Sequence, residues 1–130
     1  REVEKIAMLK AIGFEEEHGR QVVDVSAPEK AVLQGLEAWP GFDLLSRNGT
    51  DAPRAIEVKG RAGVGEIEVS DNEWAKACNL RDRYWLYVVF NCAGSHPELH
   101  RIQDPFGKLI ARAKGGIVLD AGSVLQAAER

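Results

Sequence analysis

The segment Arg54-Ala55-Ile56-Glu57-Val58-Lys59-Gly60 predicts a short β-strand, because apolar and charged side chains alternate along it. Ile56 and Val58 share one face of this strand, and Glu57 and Lys59 share the other. A carboxylate and an ammonium group therefore project side by side into the same space. On a solvated strand such a pair is only a minor surface salt bridge, so its surroundings decide what it does.

A second apolar segment, Trp39-Pro40-Gly41-Phe42-Asp43-Leu44-Leu45, lies about a hairpin's length upstream and carries one acid in its middle. The dipeptide Asn48-Gly49 between the two segments is a hairpin signal. If the segments are neighbouring strands, Asp43 converges with Glu57 and Lys59 at one end of them. The alternative interpretation is that Glu57 and Lys59 simply pair with each other at a sheet edge.

Two acids and a lysine are a minimal set for metal-dependent phosphodiester cleavage. Asp43 and Glu57 are the candidate ligands of a hard divalent cation, Mg²⁺ or Mn²⁺, whose remaining positions take water and a phosphate oxygen. The cation polarises the phosphate and lowers the pKa of a bound water, while Lys59 orients that water or neutralises developing charge. A zinc site at Cys92, His96 and His100 is disfavoured, because Gly94 and Pro97 break any helix that would align them.

Residues 2–18 predict an amphipathic first helix with Glu4 at the margin of its buried face. Glu4 is therefore either a solvated helix acid or a carboxylate directed toward the metal site. Ser70 and Glu73 form a capping box, which predicts a helix that begins there and continues through about Leu80. Capping is a sufficient structural role for Glu73, and we favour it over a catalytic role. Tyr84–Phe90 is almost continuously apolar and predicts a central strand covered on both faces.

The remaining elements complete one domain over residues 1–130. Residues 60–65 predict a glycine-rich hairpin turn rather than a nucleotide-binding loop. The other predicted strands are 21–25, 42–46, 66–69, 99–103 and 117–119, with an ambiguous apolar stretch at 29–38 and a short helix from Ser123. This order predicts an α/β or α+β fold, with a mixed central sheet flanked by helices.

The composition is that of a folded globular protein, with 45% hydrophobic and 28% charged residues among 130. The net charge of −3 argues against a free-standing DNA binder that relies on a global basic field, but it permits a local basic rim. Two cysteines, without a disulfide framework, predict an intracellular, cytoplasmic location. No membrane span or secretory signal is visible, and the missing initiator methionine predicts a domain cut from a longer protein.

Asp43 followed by Glu57-Val58-Lys59 resembles the Asp…Glu-x-Lys signature of the restriction-endonuclease-like nuclease superfamily. The chain also resembles one branch of it, the NO VEIN C-terminal-like domain, which is often appended to helicases and defence proteins. Blocks that carry this resemblance run in order through residues 2–106: Val3-Glu4-Lys5-Ile6-Ala7-Met8, Asp24-Val25-Ser26, Gly41-Phe42-Asp43-Leu44, Ile56-Glu57-Val58-Lys59-Gly60-Arg61, Asn72-Glu73-Trp74 and Tyr84-Trp85-Leu86-Tyr87-Val88-Val89.

The resemblance implies a core of helix, three-stranded meander, helix and strand. It implies that Asp43 and Glu57 are metal ligands and that Lys59 is the catalytic lysine, with Glu4 as the first-helix acid. It also implies DNA as substrate and a helicase or ATPase domain as partner, and a homodimer is compatible with it. The stretch 27–40 is longer than that branch leads us to expect, which predicts an insertion near the site. The competing hypothesis is a non-catalytic module that docks nucleic acid or protein for a helicase.

Overall fold

The computed structural model describes residues 2–109, 111–113 and 116–129. Helices and strands account for most of these residues. In chain order they are α1 (Glu2–Glu17), β1 (Gln21–Asp24), α2 (Pro28–Leu33), β2 (Leu44–Arg47), β3 (Arg54–Gly60), β4 (Ile67–Val69), α3 (Asp71–Leu80), β5 (Tyr84–Phe90), β6 (Glu98–Gln103), α4 (Pro105–Lys108), β7 (Ala111–Ala113), β8 (Ile117–Leu119) and α5 (Ala121–Ala127).

The central sheet has five strands in the order β1-β2-β3-β5-β6. The first three form an antiparallel meander, and β5 then lies parallel to β3 before β6 returns antiparallel. The parallel pairing requires a crossover, and α3 lies on that crossover. The predicted mixed sheet flanked by helices is confirmed, as is the meander–helix–strand order.

Helix α1 covers one face of the sheet, and the other helices cover the second face. Ala7 and Ala11 of α1 pack with Ile56, Val58 and the apolar side chains of β5. On the other face, Ala77 of α3 packs with side chains from β2, β3 and β5. All seven residues of β5 are buried, which confirms the prediction of a strand covered on both sides.

Two glycines let neighbouring elements approach more closely than any other residue would. A Cβ atom on Gly60 would lie 2.8 Å from the Cβ of Ala7, so the end of β3 touches α1 directly. A Cβ atom on Gly41 would lie 2.8 Å from the Cβ of Lys76, and Gly41 has a φ of +86° that favours glycine. The segment before β2 can therefore pack against α3.

The predicted hairpin turn at residues 60–65 is wrong. Strand β4 belongs to a second, three-stranded sheet of order β4-β8-β7, and it pairs with β8 rather than with β3. Instead of turning back, the chain continues beside β5: the N–H of Arg61 donates to Val89 O, and the N–H of Cys92 donates to Arg61 O.

None of the helices described is both long enough and apolar enough to span a bilayer.

Candidate functional site

The meander places Asp43 beside the charged face of β3. Asp43 lies immediately before β2, and its N–H donates to Ile56 O at 2.9 Å, which ties it to β3. Its Oδ2 accepts a 2.9 Å hydrogen bond from the N–H of Val58. Two backbone-directed bonds therefore fix the position and orientation of this carboxylate next to Glu57.

Glu57 is a buried carboxyl group with an unsatisfied oxygen. Glu57 and Lys59 do pair with each other, as the alternative interpretation predicts, but β3 lies between β2 and β5 and the pair is therefore not at a sheet edge. Glu57 is only 3% exposed, and Oε2 lies 3.3 Å from the Lys59 Nζ. Its Oε1 is buried and has no hydrogen-bond partner among the described residues. A buried carboxylate oxygen without a partner is costly, so it marks a site that a ligand can complete.

Glu73 joins this group from helix α3. It occupies the third position of the helix, and its Oε1 accepts from the Ser70 N–H at 2.9 Å, so the predicted capping box is confirmed. The same oxygen lies 2.9 Å from Lys59 Nζ. Lys59 therefore bridges Glu57 and Glu73. The capping box favours a structural role for Glu73 over a catalytic one and does not predict this contact, although Asn72-Glu73-Trp74 is one of the blocks that carry the resemblance.

The four predicted site residues line one cavity of about 400 Å³. Asp43, Glu57 and Lys59 form its sheet side, and Glu73 adds a wall from α3. Glu4 reaches it from α1 together with Ala7 and Met8, three and four residues further along the same helix face. The close contact of α1 with Gly60 holds this wall against the end of β3.

The buried acids repel one another, and this perturbs their protonation. Burial, followed by the negative charges of Asp43 and Glu73, raises the pKa of Glu57 well above its usual range. Burial also raises the pKa of Asp43, with a further contribution from the charge of Glu73, although the Val58 N–H and Lys59 act in the opposite direction. The cavity is therefore short of positive charge when its carboxyl groups are ionised.

Lys59 and Glu73 are shifted the other way. Burial alone would lower the pKa of Lys59, but the charge of Glu57 and the hydrogen bond and charge of Glu73 outweigh it and raise that pKa. For Glu73, burial is outweighed by the Ser70 N–H and by Lys59, which together lower its pKa. At neutral pH Lys59 is thus an ammonium group and Glu73 a carboxylate.

Asp43 and Glu57 are the side chains that could hold a hard cation here. Among the described residues, no group of three or more histidine, cysteine, aspartate or glutamate side chains is arranged to enclose a metal ion. A complete protein cage is not what Mg²⁺ needs, because this ion commonly takes one or two carboxylates and keeps several waters. The arrangement can bind a cation and a phosphate oxygen together, with Lys59 beside them.

The fold and this cavity define a mixed α/β domain with a buried carboxylate–lysine site. The family model described as "Protein NO VEIN, C-terminal" matches residues 3–102, well over half of the chain, and the chain therefore belongs to this family. The matched range includes all of Glu4, Asp43, Glu57, Lys59 and Glu73. No curated protein and no solved structure matches the chain.

Proposed function

We propose that this domain is a divalent-metal-dependent nuclease that hydrolyses phosphodiester bonds in DNA. The observation that carries the proposal is the Glu57 carboxyl group, which is 3% exposed and has an unpartnered Oε1 beside Asp43 and Lys59. A buried, charge-repelled carboxyl pair has little structural justification in a sheet. It is well suited to a dication that neutralises it.

The donor chemistry of the site fits Mg²⁺ or Mn²⁺. Asp43 and Glu57 supply carboxylate oxygens, the ligands that these hard cations prefer. When bound, the cation would polarise the scissile phosphate and make a bound water more acidic. Asp43 is already oriented for this role, because the Val58 N–H holds its Oδ2 and restricts the carboxyl group.

Lys59 acts as a positively charged hydrogen-bond donor rather than as a base. Its pKa is raised by Glu57 and Glu73, so the amine keeps its proton at neutral pH. The ammonium can donate to a phosphate oxygen or to the attacking water and offset negative charge that develops at phosphorus. Glu73 holds Nζ at 2.9 Å and so aims this donor into the cavity.

We assign DNA as the substrate and a helicase or defence protein as the setting, following the nuclease branch that the sequence resembles. The acidic cavity itself attracts cations and repels phosphate, so affinity for the DNA backbone must come from the bound cation and from basic residues outside the cavity. Glu4 stands at the α1 wall of the cavity, where it can hold a water or a second cation.

A cleavage assay tests this proposal. The purified domain is incubated with supercoiled plasmid and with labelled single- and double-stranded oligonucleotides, in Mg²⁺, in Mn²⁺ or in chelator. We expect metal-dependent cleavage that falls by about 100-fold or more in Lys59→Met, the loss typical of removing one charge-stabilising donor. Asp43→Asn keeps the size of the side chain and removes a ligand charge, so it should be inactive too.

Glu68→Gln is the matched control, because Glu68 is an exposed acid of β4 that does not line the cavity. Thermal melting of each variant shows that the fold survives. Full cleavage by folded Lys59→Met or Asp43→Asn would refute the proposal.

A non-catalytic docking module is the second candidate, and the apolar surface of the segment 27–40 favours it. Val32, Leu33 and Trp39 are 56%, 82% and 66% exposed, an unusual concentration of apolar surface. Beside them lies an apolar cavity of about 340 Å³ that includes Leu36 and Phe42. Nucleic-acid or protein binding that persists in chelator, with no cleavage under any metal, would favour this candidate over the nuclease.

A further inference from the structure

A second, basic cavity of about 230 Å³ lies at the opposite end of β3 from Lys59. Arg20, Arg54 and Arg83 line it, together with Trp85. It shares none of its lining residues with the acidic cavity. Three arginines around one small cavity are unusual in a chain whose net charge is −3.

Two of these arginines are held in place by a buried acid. Glu15 of α1 is fully buried, and its Oε2 lies 3.0 Å from the Arg54 Nη1. Its Oε1 lies 3.2 Å from Arg20 Nε and accepts a 2.6 Å hydrogen bond from Ser46 Oγ. The Tyr87 hydroxyl donates to Oε2 at 2.5 Å. The guanidinium groups are thus pre-oriented before any ligand arrives.

This buried network leaves guanidinium donors unused at the cavity. The hydrogen bonds of Arg54 to described residues all leave from Nη1, and its guanidinium group stacks 4.6 Å over the Trp85 ring. Arg20 uses Nε and Nη2 for Ser46. Nε and Nη2 of Arg54 and Nη1 of Arg20 therefore have no hydrogen-bond partner in the described part of the chain. Guanidinium N–H groups that are fixed in place and have no protein acceptor can donate hydrogen bonds to a planar or tetrahedral oxyanion.

The charge balance at the cavity also favours an anion. Arg83 is exposed at the end of a short 3₁₀-helix, Arg81–Arg83, that precedes β5, and it makes no ion pair with the residues that the structure describes. Among the described residues that line the cavity, Asp82 is the one acid. Glu15 beneath the cavity offsets a second positive charge. Arg101 adds another cation nearby, 5.3 Å from the Trp85 ring. The local charge remains positive.

We propose that this arginine cavity is a binding site for a phosphate group. Arg54 and Arg20 present fixed donors from below, and Arg83 closes over the ligand from the rim as an adaptable third cation. The phosphate can be free, as inorganic phosphate or a nucleotide, or part of a nucleic-acid backbone. The proposal does not depend on the nuclease activity, because no residue of the acidic cavity takes part in it.

Nuclear magnetic resonance of the arginine Nε–H groups tests the site directly. Inorganic phosphate is titrated into ¹⁵N-labelled protein in chelator, with sodium chloride at matched ionic strength as the reference. We expect saturable shifts of the Arg54 and Arg83 signals and of the Trp85 indole N–H. Arg83→Gln should weaken phosphate affinity about tenfold or more, as loss of a charge-assisted hydrogen bond does.

Two further variants make the test specific. Arg54→Lys keeps the positive charge above Glu15 but removes the planar guanidinium group and its paired N–H donors. It should therefore also weaken phosphate binding while the fold survives. Arg112→Gln removes an exposed arginine of β7 in the second sheet, which pairs with Glu66, and it should leave phosphate affinity unchanged. Shifts that grow linearly, or an affinity that Arg83→Gln and Arg54→Lys leave intact, would overturn the proposal.

A short DNA oligonucleotide in the same chelator buffer separates the two sources of phosphate. Shifts of the same arginine signals at lower concentration than inorganic phosphate requires would identify the backbone of a nucleic acid as the ligand. Shifts with inorganic phosphate alone would identify a small phosphate compound. Absence of specific shifts with both would refute the site, whatever the outcome of the cleavage assay.

Discussion

Replacing Glu57 with glutamine should stabilise the protein at neutral pH in the absence of metal. The change keeps the shape of a side chain that is 3% exposed and removes its charge. Lys59 is not left without a partner, because Glu73 Oε1 remains 2.9 Å from its Nζ. The new amide can also donate to a neighbouring carboxylate, which Glu57 cannot do when ionised.

The size of the effect follows from the unpartnered oxygen. A buried acceptor without a hydrogen bond costs about 1–3 kcal/mol, and the glutamine removes the charged form of that acceptor. An entropy of unfolding of about 2.1 cal/mol/K per residue converts each kcal/mol to about 4 °C in a chain of 130 residues. The expected rise in Tm is therefore about 4–11 °C, since the lost 3.3 Å contact to Lys59 is offset by Glu73.

The pH dependence provides the sharper signature. The pKa of Glu57 in the folded protein is raised well above the value of about 4.3 that it has in the unfolded chain. The folded state therefore binds this proton more tightly, and the wild type loses stability as pH rises through the raised pKa. The advantage of Glu57→Gln should be small near pH 4 and grow toward neutral pH. The pKa of Asp43 is also raised, so in both proteins Asp43 adds a weaker loss of stability with rising pH.

Differential scanning calorimetry in chelator, from pH 4 to pH 9, measures both effects. Glu68→Gln provides the same change of charge at an exposed position and should stay within about 0.5 kcal/mol of the wild type. A Glu57→Gln protein that is no more stable than the wild type at neutral pH, or whose advantage does not change with pH, would show that the Glu57 charge is not repelled by its neighbours.

Two other substitutions test the packing that positions the two cavities. Gly41→Ala should destabilise the fold by about 1–3 kcal/mol in chemical denaturation, because its Cβ atom would meet the Lys76 Cβ at 2.8 Å; Gly49→Ala shares the positive φ without a close contact and should cost less. Glu15→Ala should cost about 3–5 kcal/mol, because it leaves Arg20 and Arg54 without their buried counter-charge, whereas exposed Glu16→Ala should be nearly neutral. Equal losses within either pair would contradict the corresponding argument.

Local sequence signals were sufficient to predict the meander of β1, β2 and β3 and the two elements α3 and β5 that pack beside it. The alternation in residues 54–60, the Asn48-Gly49 turn and the Ser70–Glu73 capping box each act within a few residues, so sequence alone identifies them. The strand at 42–46 was placed slightly early, since β2 begins at Leu44. In the ambiguous stretch at 29–38 only residues 29–33 are helical, as part of α2, which begins at Pro28.

The partner of a strand is not a local property, and here the sequence prediction was wrong. Glycines at residues 60–65 indicate a bend, but they do not reveal whether the chain turns back on β3 or continues beside β5. Backbone hydrogen bonds from Arg61 to Val89 and from Cys92 to Arg61 show that the chain continues beside β5. Strand β4 is thereby freed to form the second sheet, which no local sequence pattern predicts.

At the acidic cavity, too, the sequence predicts the contacts that local strand pairing fixes but not those that depend on how distant elements pack. The proximity of Asp43 to Glu57 follows from the hairpin, because paired strands fix which residues lie side by side. The alternation in β3 suggests that its charged face meets solvent, whereas α3 covers it and buries Glu57. The Glu73–Lys59 contact depends on where that helix crosses the sheet, which no local pattern specifies.

Calorimetric titration of Mg²⁺ and Mn²⁺ into the metal-stripped protein tests the central claim most directly, namely that Asp43 and Glu57 hold a divalent cation. We predict binding at one site in the wild type, weakened about tenfold or more in both Asp43→Asn and Glu57→Gln and unchanged in Glu68→Gln, because each carboxylate supplies a ligand oxygen. Equal metal affinity in the wild type and both site variants, or no binding to the wild type even with a DNA duplex present, would contradict the account.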